Sequence, residues 1–136
     1  MYLLDTNVVS ELRRKRPHGA VVAWFASVAG QRTSISAVTV GEIQVGIENA
    51  RQTDASKAAE IEAWLDHILG AEDILPMDAA DFRLWAKLMH RKPPHVSEDA
   101  MIAATAQMRD LIVVTRNASD FQMFGVRTLN PFATPR

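Results

Sequence analysis

Residues 1–7 read Met-Tyr-Leu-Leu-Asp-Thr-Asn, and this stretch decides how the rest of the chain is interpreted. The short apolar run Tyr2–Leu4 stops at Asp5, which predicts a buried first strand that ends in a polar turn. An acid that directly ends an apolar strand is half-buried, and a buried charge without a partner is unfavourable. Asp5 is therefore better explained by a function than by the needs of the fold.

Four more short strand patterns follow along the chain, with helical patterns between them. The strands are predicted at Thr33–Ser36, Ile74–Met77, Leu111–Val114 and Val126–Leu129. Helices are predicted over residues 7–14, 18–28, 39–50, 54–70, 78–92 and 98–109. Short apolar strands that alternate with helices are typical of a parallel sheet covered on both faces, so the predicted fold class is α/β.

The composition is that of an ordinary globular protein. The 136 residues suit one domain, 1–136, and 48% of them are hydrophobic while 23% are charged. A formal net charge of -1 argues against a generally basic nucleic-acid binder and against electrostatic docking on a membrane. The lack of cysteine excludes disulfides, thiol catalysis and thiolate metal sites. Because no apolar leader or long apolar run is present, we expect a cytoplasmic protein without membrane contact.

Oxygen-bearing side chains follow the predicted strands. In open parallel sheets, functional groups collect just beyond the carboxyl ends of the strands. Clustered carboxylates repel one another, and without cysteine or a histidine cluster the natural compensation is a hard divalent cation, best Mg²⁺ or Mn²⁺. The candidates are Asp5 and Thr6 after the first strand, Glu42 after the second, Asp99 at a helix start, and Thr115, Asn117 and Asp120 after the strongest strand.

Several of these candidates also have a purely structural interpretation. Thr39 and Glu42 match the Ser/Thr-x-x-Glu capping box, in which the glutamate only accepts a backbone N–H. Asp99 at the positive end of its helix would be stabilised by about 0.3–1 kcal/mol. Asn117 suits the N-cap of a short helical turn that has Asp120 in its first turn. The sequence leaves both interpretations of these residues open.

Other catalytic classes lack their local motifs. The chain contains no Gly-x-Ser-x-Gly, Gly-x-Gly-x-x-Gly or Gly-x-x-x-x-Gly-Lys-Ser/Thr segment, which leaves serine hydrolase, dinucleotide-binding and P-loop interpretations unsupported. An aspartyl-phosphate phosphotransferase is an alternative, because Leu4-Asp5-Thr6 also suits a carboxylate nucleophile. That chemistry usually needs a second acid two residues later, where this chain has Asn7.

Four segments carry a family resemblance: residues 3–10 (LLDTNVVS), 36–46 (SAVTVGEIQVG), 99–106 (DAMIAATA) and 114–121 (VTRNASDF). Together they resemble the PIN-domain ribonucleases, and more narrowly the VapC-type toxins of bacterial toxin–antitoxin pairs, including the FitB-like branch. The similarity extends from Met1 to about Phe132. Any one motif is only moderately specific, whereas all four in this order are strongly so.

The resemblance implies a three-layer α/β/α sandwich around a central parallel sheet. It also implies an Mg²⁺- or Mn²⁺-dependent endoribonuclease that is inhibited by a small antitoxin whose tail fills the active-site groove. By position, the family's first acid falls on Asp5, its helix glutamate on Glu42 and its third acid on Asp99.

At the family's fourth acidic position this chain departs from the pattern. The position is often Asp, and here it is Asn117, although Asp120 lies one turn further on. Thr6 and Thr115 match the hydroxyl residues that the family places beside its acids. The departure keeps a further alternative open, a catalytically silent PIN-fold module that binds a protein partner.

Basic residues near the first acid are candidates for RNA binding. The run at residues 13–16 follows the helix that begins beside Asp5, and a rise of about 1.5 Å per residue places its second member on the order of 13 Å from that acid. The alternative is a solvated run that only complements the helix dipole. The RNA-binding candidates are Arg13, Arg14, Arg16 and Arg116, with Arg32 assigned to the same rim.

Apolar stripes over residues 21–28 and 54–70, with Trp24 and Trp64 nearby, suggest a protein interface. A homodimer contact and an antitoxin groove are both consistent with them. Packing inside the core accounts for them equally well.

Replacing Glu42 by Gln separates a capping role from a catalytic one. Gln also serves in a capping box, so helix stability should be kept, while metal-dependent RNA cleavage should be lost because the negative charge is removed. Circular dichroism and an RNA cleavage assay measure the two effects. Full activity in Glu42→Gln would leave no catalytic role for this residue.

Overall fold

The computed structural model describes residues 1–133, in which five parallel strands form one sheet of order β3-β2-β1-β4-β5. The strands are β1 (Tyr2–Leu4), β2 (Thr33–Ser36), β3 (Asp73–Leu75), β4 (Ile112–Val114) and β5 (Thr128–Leu129). The helices are α1 (Thr6–Arg13), α2 (Gly19–Ser27), α3 (Ala37–Arg51), α4 (Ala55–Ala71), α5 (Ala79–Met89), α6 (Ser97–Met108) and α7 (Ala118–Gln122). Within this part of the chain, no helix combines the length and the apolar character needed to cross a membrane.

Helices cover both faces of the sheet because successive strand residues point to opposite sides. Leu4 and Val114 belong to a core that α1 to α4 complete on one face. Their neighbours Leu3 and Val113 belong to a second core, which α5, α6 and α7 complete on the other face. The predicted α/β class and the three-layer α/β/α sandwich are both confirmed.

Several element boundaries differ from the sequence prediction by one to three residues, and two of these differences have a clear local cause. Helix α3 begins at Ala37 and not near Thr39, because the Ser36 hydroxyl accepts the N–H of Val38 at 3.1 Å and caps the helix there. Strand β3 ends at Leu75, two residues early, because the proline that follows has no N–H for the sheet. The shift in α3 changes the interpretation of the site described below.

The strand register brings three polar residues level at the carboxyl edge of the sheet. The last residue of β1 pairs with Ile35 on one side and with Val114 on the other. Asp5, Ser36 and Thr115 follow directly and therefore lie side by side. Because the chain order changes direction on either side of β1, this edge is a topological switch point, where open α/β sheets form their binding crevice.

Helices α5 and α6 are joined at two places, and these contacts hold α6 in position. The Asp81 carboxylate, only 1% exposed, accepts two hydrogen bonds from the Arg109 guanidinium, at 2.8 and 3.0 Å. The indole N–H of Trp85 donates to the carbonyl of Ser97 at 3.1 Å. Because Ser97 opens α6, this contact holds the helix turn that carries Asp99.

Replacing Arg109 by Met should lower the free energy of unfolding by about 3–5 kcal/mol, because the Asp81 carboxylate is left buried without a counter-charge. Burial raises the pKa of Asp81, but hydrogen bonds from Arg109 and from the Asp78 N–H outweigh it and hold the pKa below its ordinary value. The pair's contribution is therefore present at neutral pH and is lost as the pH falls through the lowered pKa.

Urea unfolding at several pH values measures this effect. The double variant Arg109→Met/Asp81→Asn is the control and should recover much of the lost stability, since it removes the orphaned charge. A single variant as stable as the wild type at pH 7 would contradict the assigned role of the pair.

Candidate active site at the carboxyl edge of the sheet

Asp5 lies at the end of β1 and is 6% exposed. Its Oδ1 accepts the N–H of Thr6 at 2.8 Å, and its Oδ2 accepts from the Thr115 hydroxyl at 2.8 Å and from the Asn7 amide at 3.3 Å. Burial raises the pKa of Asp5, the hydrogen bonds from Thr115 and Thr6 oppose this, and the charge of Asp120 raises it further. Within residues 1–133, the nearly buried carboxylate of Asp5 is therefore held by neutral donors alone.

Glu42 reaches the same edge from α3. The Thr6 hydroxyl donates to Oε1 of Glu42 at 2.8 Å and lies 3.0 Å from the hydroxyl of Thr39, which is fully buried. Because a hydroxyl carries a single proton, Thr39 is the donor to Thr6 and orients it toward Glu42. Desolvation raises the pKa of Glu42, the hydrogen bond from Thr6 lowers it, and the charges of Asp5 and Glu98 raise it again.

The capping-box interpretation of Thr39 and Glu42 is wrong. Ser36 caps α3, so Thr39 lies inside the helix and Glu42 is one turn further along than a capping residue would be. The Glu42 side chain turns instead toward Thr6 and the end of β1. Its position is therefore explained by the site and not by the helix terminus.

Asp99 lies in the first turn of α6, where the helix dipole favours a negative charge. The pKa of Asp99 is nevertheless raised to about 6, first by burial and then by the charges of Asp5, Asp120 and Glu42. Burial and repulsion from the neighbouring acids therefore raise the pKa of Asp99 although it lies at the favourable end of the helix. Stabilisation of the helix alone does not account for an acid in this place.

Two further carboxylates complete what we call the acidic cluster, defined as Asp5, Glu42, Glu98, Asp99 and Asp120. Asp120, in the first turn of α7, is close enough to raise the pKa of both Asp5 and Asp99. Glu98 was not among the sequence candidates, although it raises the pKa of Glu42 and Asp99. Its only sequence signal is its place beside Asp99, where a glutamate looks like an ordinary residue of a first helical turn.

Asn117 is the N-cap of α7, as its position predicted, but its side chain makes no capping hydrogen bond within the described residues. Its backbone N–H donates instead to the Thr115 hydroxyl at 3.0 Å. With its oxygen accepting from Asn117, the Thr115 hydroxyl directs its proton to Asp5. The exposed side chain of Asn117 remains available to a ligand.

Two of the predicted RNA-binding arginines lie beside the site. Arg13 lines a cleft that also contains Thr6 and Glu42. The backbone N–H of Arg116 donates to the side chain of Asn7 at 3.2 Å, and the Arg116 guanidinium lies 4.3 Å from the ring centroid of Phe132. Both residues are thus held next to the acidic cluster.

The other predicted basic residues are placed differently. Arg14 pairs with the buried Glu11 at 3.5 Å, and Arg16 is exposed beyond the end of α1. Arg32 precedes β2 and pairs with Asp73 at 3.1 Å. Because residues before a parallel strand lie at its amino end, the assignment of Arg32 to the rim of the site is wrong. The RNA-binding roles of the other arginines stay predictions.

The acidic cluster fits a hard divalent cation by its donor chemistry. Among residues 1–133, none of the ion pairs involves a member of the cluster, so its charges have no basic side chain to compensate them. In the same residues, no three acidic side chains stand close enough to chelate an ion directly. Mg²⁺ usually keeps several waters and binds through one or two carboxylates, so carboxylates spaced in this way suit it.

An apolar cleft of about 300 Å³ lies between α1, α2 and α4. Leu12, Phe25, Trp64 and Ile68 line it, so the predicted apolar stripes on α2 and α4 meet at this place. The side chains of these apolar stripes are thus only partly buried in the core.

Fold and site together define an α/β protein with an oxygen-only acidic centre at its topological switch point. The model of the PIN domain family matches residues 2–123, and the chain belongs to that family.

Relatives and solved structures extend over nearly the whole chain. The toxin FitB of Neisseria gonorrhoeae is 34% identical over 139 residues, covering 97% of this chain and 99% of that protein. The VapC ribonuclease Y4jK of Sinorhizobium fredii is also 34% identical, over 140 residues, covering 97% of this chain and 98% of that protein. The crystal structure of FitAcB from Neisseria gonorrhoeae superposes with a TM-score of 0.84 at 33% identity, covering 98% of this chain and 100% of the matched chain.

Replacing Asp99 by Asn should stabilise the metal-free protein at pH 7.5 but not at pH 4. The raised pKa means that Asp99 ionises in the unfolded chain before it ionises in the folded one, so stability falls as the pH rises from about 4 to 6. Removing the charge should therefore recover about 1–3 kcal/mol at pH 7.5, after allowance for solvent screening.

Urea unfolding in EDTA at the two pH values measures this difference. Asp66→Asn, at an exposed position on α4, is the matched control and should change neither value. The same change in stability at both pH values for Asp99→Asn would contradict a raised pKa of Asp99 in the folded protein.

Proposed function

We propose that this protein is an endoribonuclease toxin that hydrolyses RNA phosphodiester bonds. The observation that carries the proposal is the acidic cluster, in which Asp5, Glu42 and Asp99 converge without a basic partner in the described residues. Relatives that carry the names toxin FitB and VapC ribonuclease support the same activity.

The proposal includes a divalent cation, Mg²⁺ or Mn²⁺, with Asp5, Glu42 and Asp99 as its candidate ligands, of which one or two would bind the ion directly and the rest through coordinated waters. Asp120 and Asn117 would contribute to its outer coordination. When bound at such a site, the ion lowers the pKa of a coordinated water and stabilises charge on the phosphodiester. The donor set, oxygen atoms alone, agrees with the preference of these ions.

The supporting residues have roles that follow from their contacts. Thr115 holds one oxygen of Asp5, and the N–H of Thr6 holds the other, so the carboxylate keeps one orientation. The hydroxyl of Thr6, directed by Thr39, does the same for Glu42. The carboxylates of Asp5 and Glu42 are therefore oriented before a substrate binds, which limits the free-energy cost of reorganisation during the reaction.

An aspartyl-phosphate phosphotransferase is less well supported. Asn7 occupies the place of the second acid, and its amide is engaged with Asp5 while its oxygen accepts the N–H of Arg116. The Asn7 side chain therefore links Asp5 to the backbone of Arg116, and an amide supplies no proton-transfer group. Asp5 also has one oxygen committed to Thr115 and the other to Thr6, which disfavours its use as a nucleophile.

Two kinds of partner belong to the proposal. A small antitoxin would bind the toxin and block the acidic cluster, and a second copy of the chain would form a homodimer. The apolar cleft between α1, α2 and α4 supports an interface with protein, because water contacts there are unfavourable. The proposal also includes a cytoplasmic location, where RNA hydrolysis and control by an antitoxin would take place, and a single domain that spans residues 1–136.

Incubation with total RNA in Mg²⁺, Mn²⁺ or EDTA tests the proposal. Wild-type protein should cleave RNA only with a metal ion, and Asp5→Asn and Asp99→Asn should each lower the rate by more than about 100-fold, since each removes a ligand charge. Asp66→Asn should cleave like the wild type.

Cleavage that persists in EDTA and in both variants would reject the metal-dependent mechanism. A wild-type protein that binds a partner regardless of Asp5→Asn and cleaves no RNA would instead identify a catalytically silent module.

A further inference from the structure

A cleft of about 220 Å³ opens directly beside the acidic cluster, between α1, α3 and α4. We call it the side cleft and define it by Thr6, Ser10, Arg13, Glu42, Gly46 and Trp64. We infer that the side cleft binds the RNA nucleotide that flanks the scissile phosphate, with its base against Trp64 and its phosphate on Arg13. The inference rests on the proposed function and names the substrate contact that Asp5, Glu42 and Asp99 do not provide.

The side cleft is continuous with the acidic cluster. Thr6 and Glu42 belong to both, and the hydrogen bond between them forms the boundary. Thr6, Ser10 and Arg13 follow one another at the i, i+4 and i+7 positions, so one face of α1 lines the cleft with polar side chains. Arg13 lies about 12 Å along the helix from Asp5, within reach of a nucleotide next to the reacting phosphate.

Arg13 is placed to receive a phosphate. None of the ion pairs in residues 1–133 involves it. Its guanidinium carbon lies 5.9 Å from the ring centroid of Trp64, close to the outer limit of about 6 Å for a cation–π contact. Charge-assisted bonds to a phosphate are stronger than this contact, so RNA binding moves the guanidinium and uncovers the ring.

The side cleft suits a single base and not a protein helix. Its volume lies below the range of about 300–1,000 Å³ that is usual for larger ligands. Stacking on an aromatic ring accepts any base, as required of a contact that positions single-stranded RNA. The apolar cleft on the other side of Trp64 has Glu72 as its one charged lining residue within residues 1–133, and it therefore lacks the cation that a phosphate requires.

Gly46 lines the side cleft from α3. A glycine in the middle of α3 weakens the helix by comparison with alanine. A Cβ built at Gly46 meets no atom within 4 Å, so the packing of the protein does not require glycine here. The missing side chain keeps the floor of the side cleft open.

Cleavage kinetics on a single-stranded RNA of mixed sequence, labelled with a fluorophore and a quencher, test the inference. Trp64→Leu should raise KM about tenfold with little change in kcat, because base stacking is lost. Arg13→Gln should lower the salt dependence of log KM by about 0.7, the contribution of one phosphate contact to a single strand.

Gly46→Gln is the third variant, and it fills the side cleft while favouring the helix. It should raise KM and leave the melting temperature equal to or above that of the wild type, a combination that loss of structure does not produce. Gly70→Gln is its matched control, since a Cβ there also meets no atom within 4 Å and the residue lies outside the cleft. It should leave KM unchanged.

The outcomes separate the two proposals. A wild-type protein that does not cleave RNA contradicts the proposed function. A wild-type protein that cleaves RNA, together with an unchanged KM and salt dependence in the three cleft variants, overturns the side-cleft inference alone and leaves the cleft to a protein partner.

Discussion

The nearly buried carboxylate of Asp5 is the constraint on which the rest of the structure depends. A charge placed at the end of a central strand loses most of its hydration, and neutral donors replace only part of it. Thr115, Thr6 and Asn7 supply those donors from both sides of the switch point. They orient the carboxylate and leave its charge uncompensated, and this uncompensated charge is the basis for proposing a cation at this edge of the sheet.

The remaining elements bring more negative charge to the same place. The register of β1 with β2 and β4 puts Ser36 and Thr115 level with Asp5. Helices α3 and α7 therefore both begin beside the site. The contact of Trp85 with Ser97 holds the start of α6, and Asp99 with it. A protein that raises the pKa of Asp99 to about 6, first by burial and then by the charges of the neighbouring acids, stores unfavourable energy in the metal-free state. Under the proposed function, binding of a divalent cation would release this energy.

The sequence allowed the strands and a sheet covered on both faces to be predicted, because a short apolar run that ends in a polar residue is typical of a buried strand and of few alternative elements. It also named Asp5, Glu42 and Asp99 as candidate site residues, and their roles stay predictions. It failed where two local signals compete. Ser36 and Thr39 are both good capping residues, and only the register of β2 decides that Ser36 caps α3. Glu98 looked like a residue of an ordinary helix start, and the charge of Arg32 carried no information about which end of β2 it would occupy.

Calorimetric titration with Mn²⁺ tests the central claim most directly, since it measures whether the acidic cluster binds a cation independently of any RNA. Wild-type protein and the surface variant Asp66→Asn should show saturable binding. Asp5→Asn should bind at least about tenfold more weakly, because the charge at the centre of the cluster is gone. Equal binding by Asp5→Asn and the wild type, or no saturable binding by either, would contradict the account.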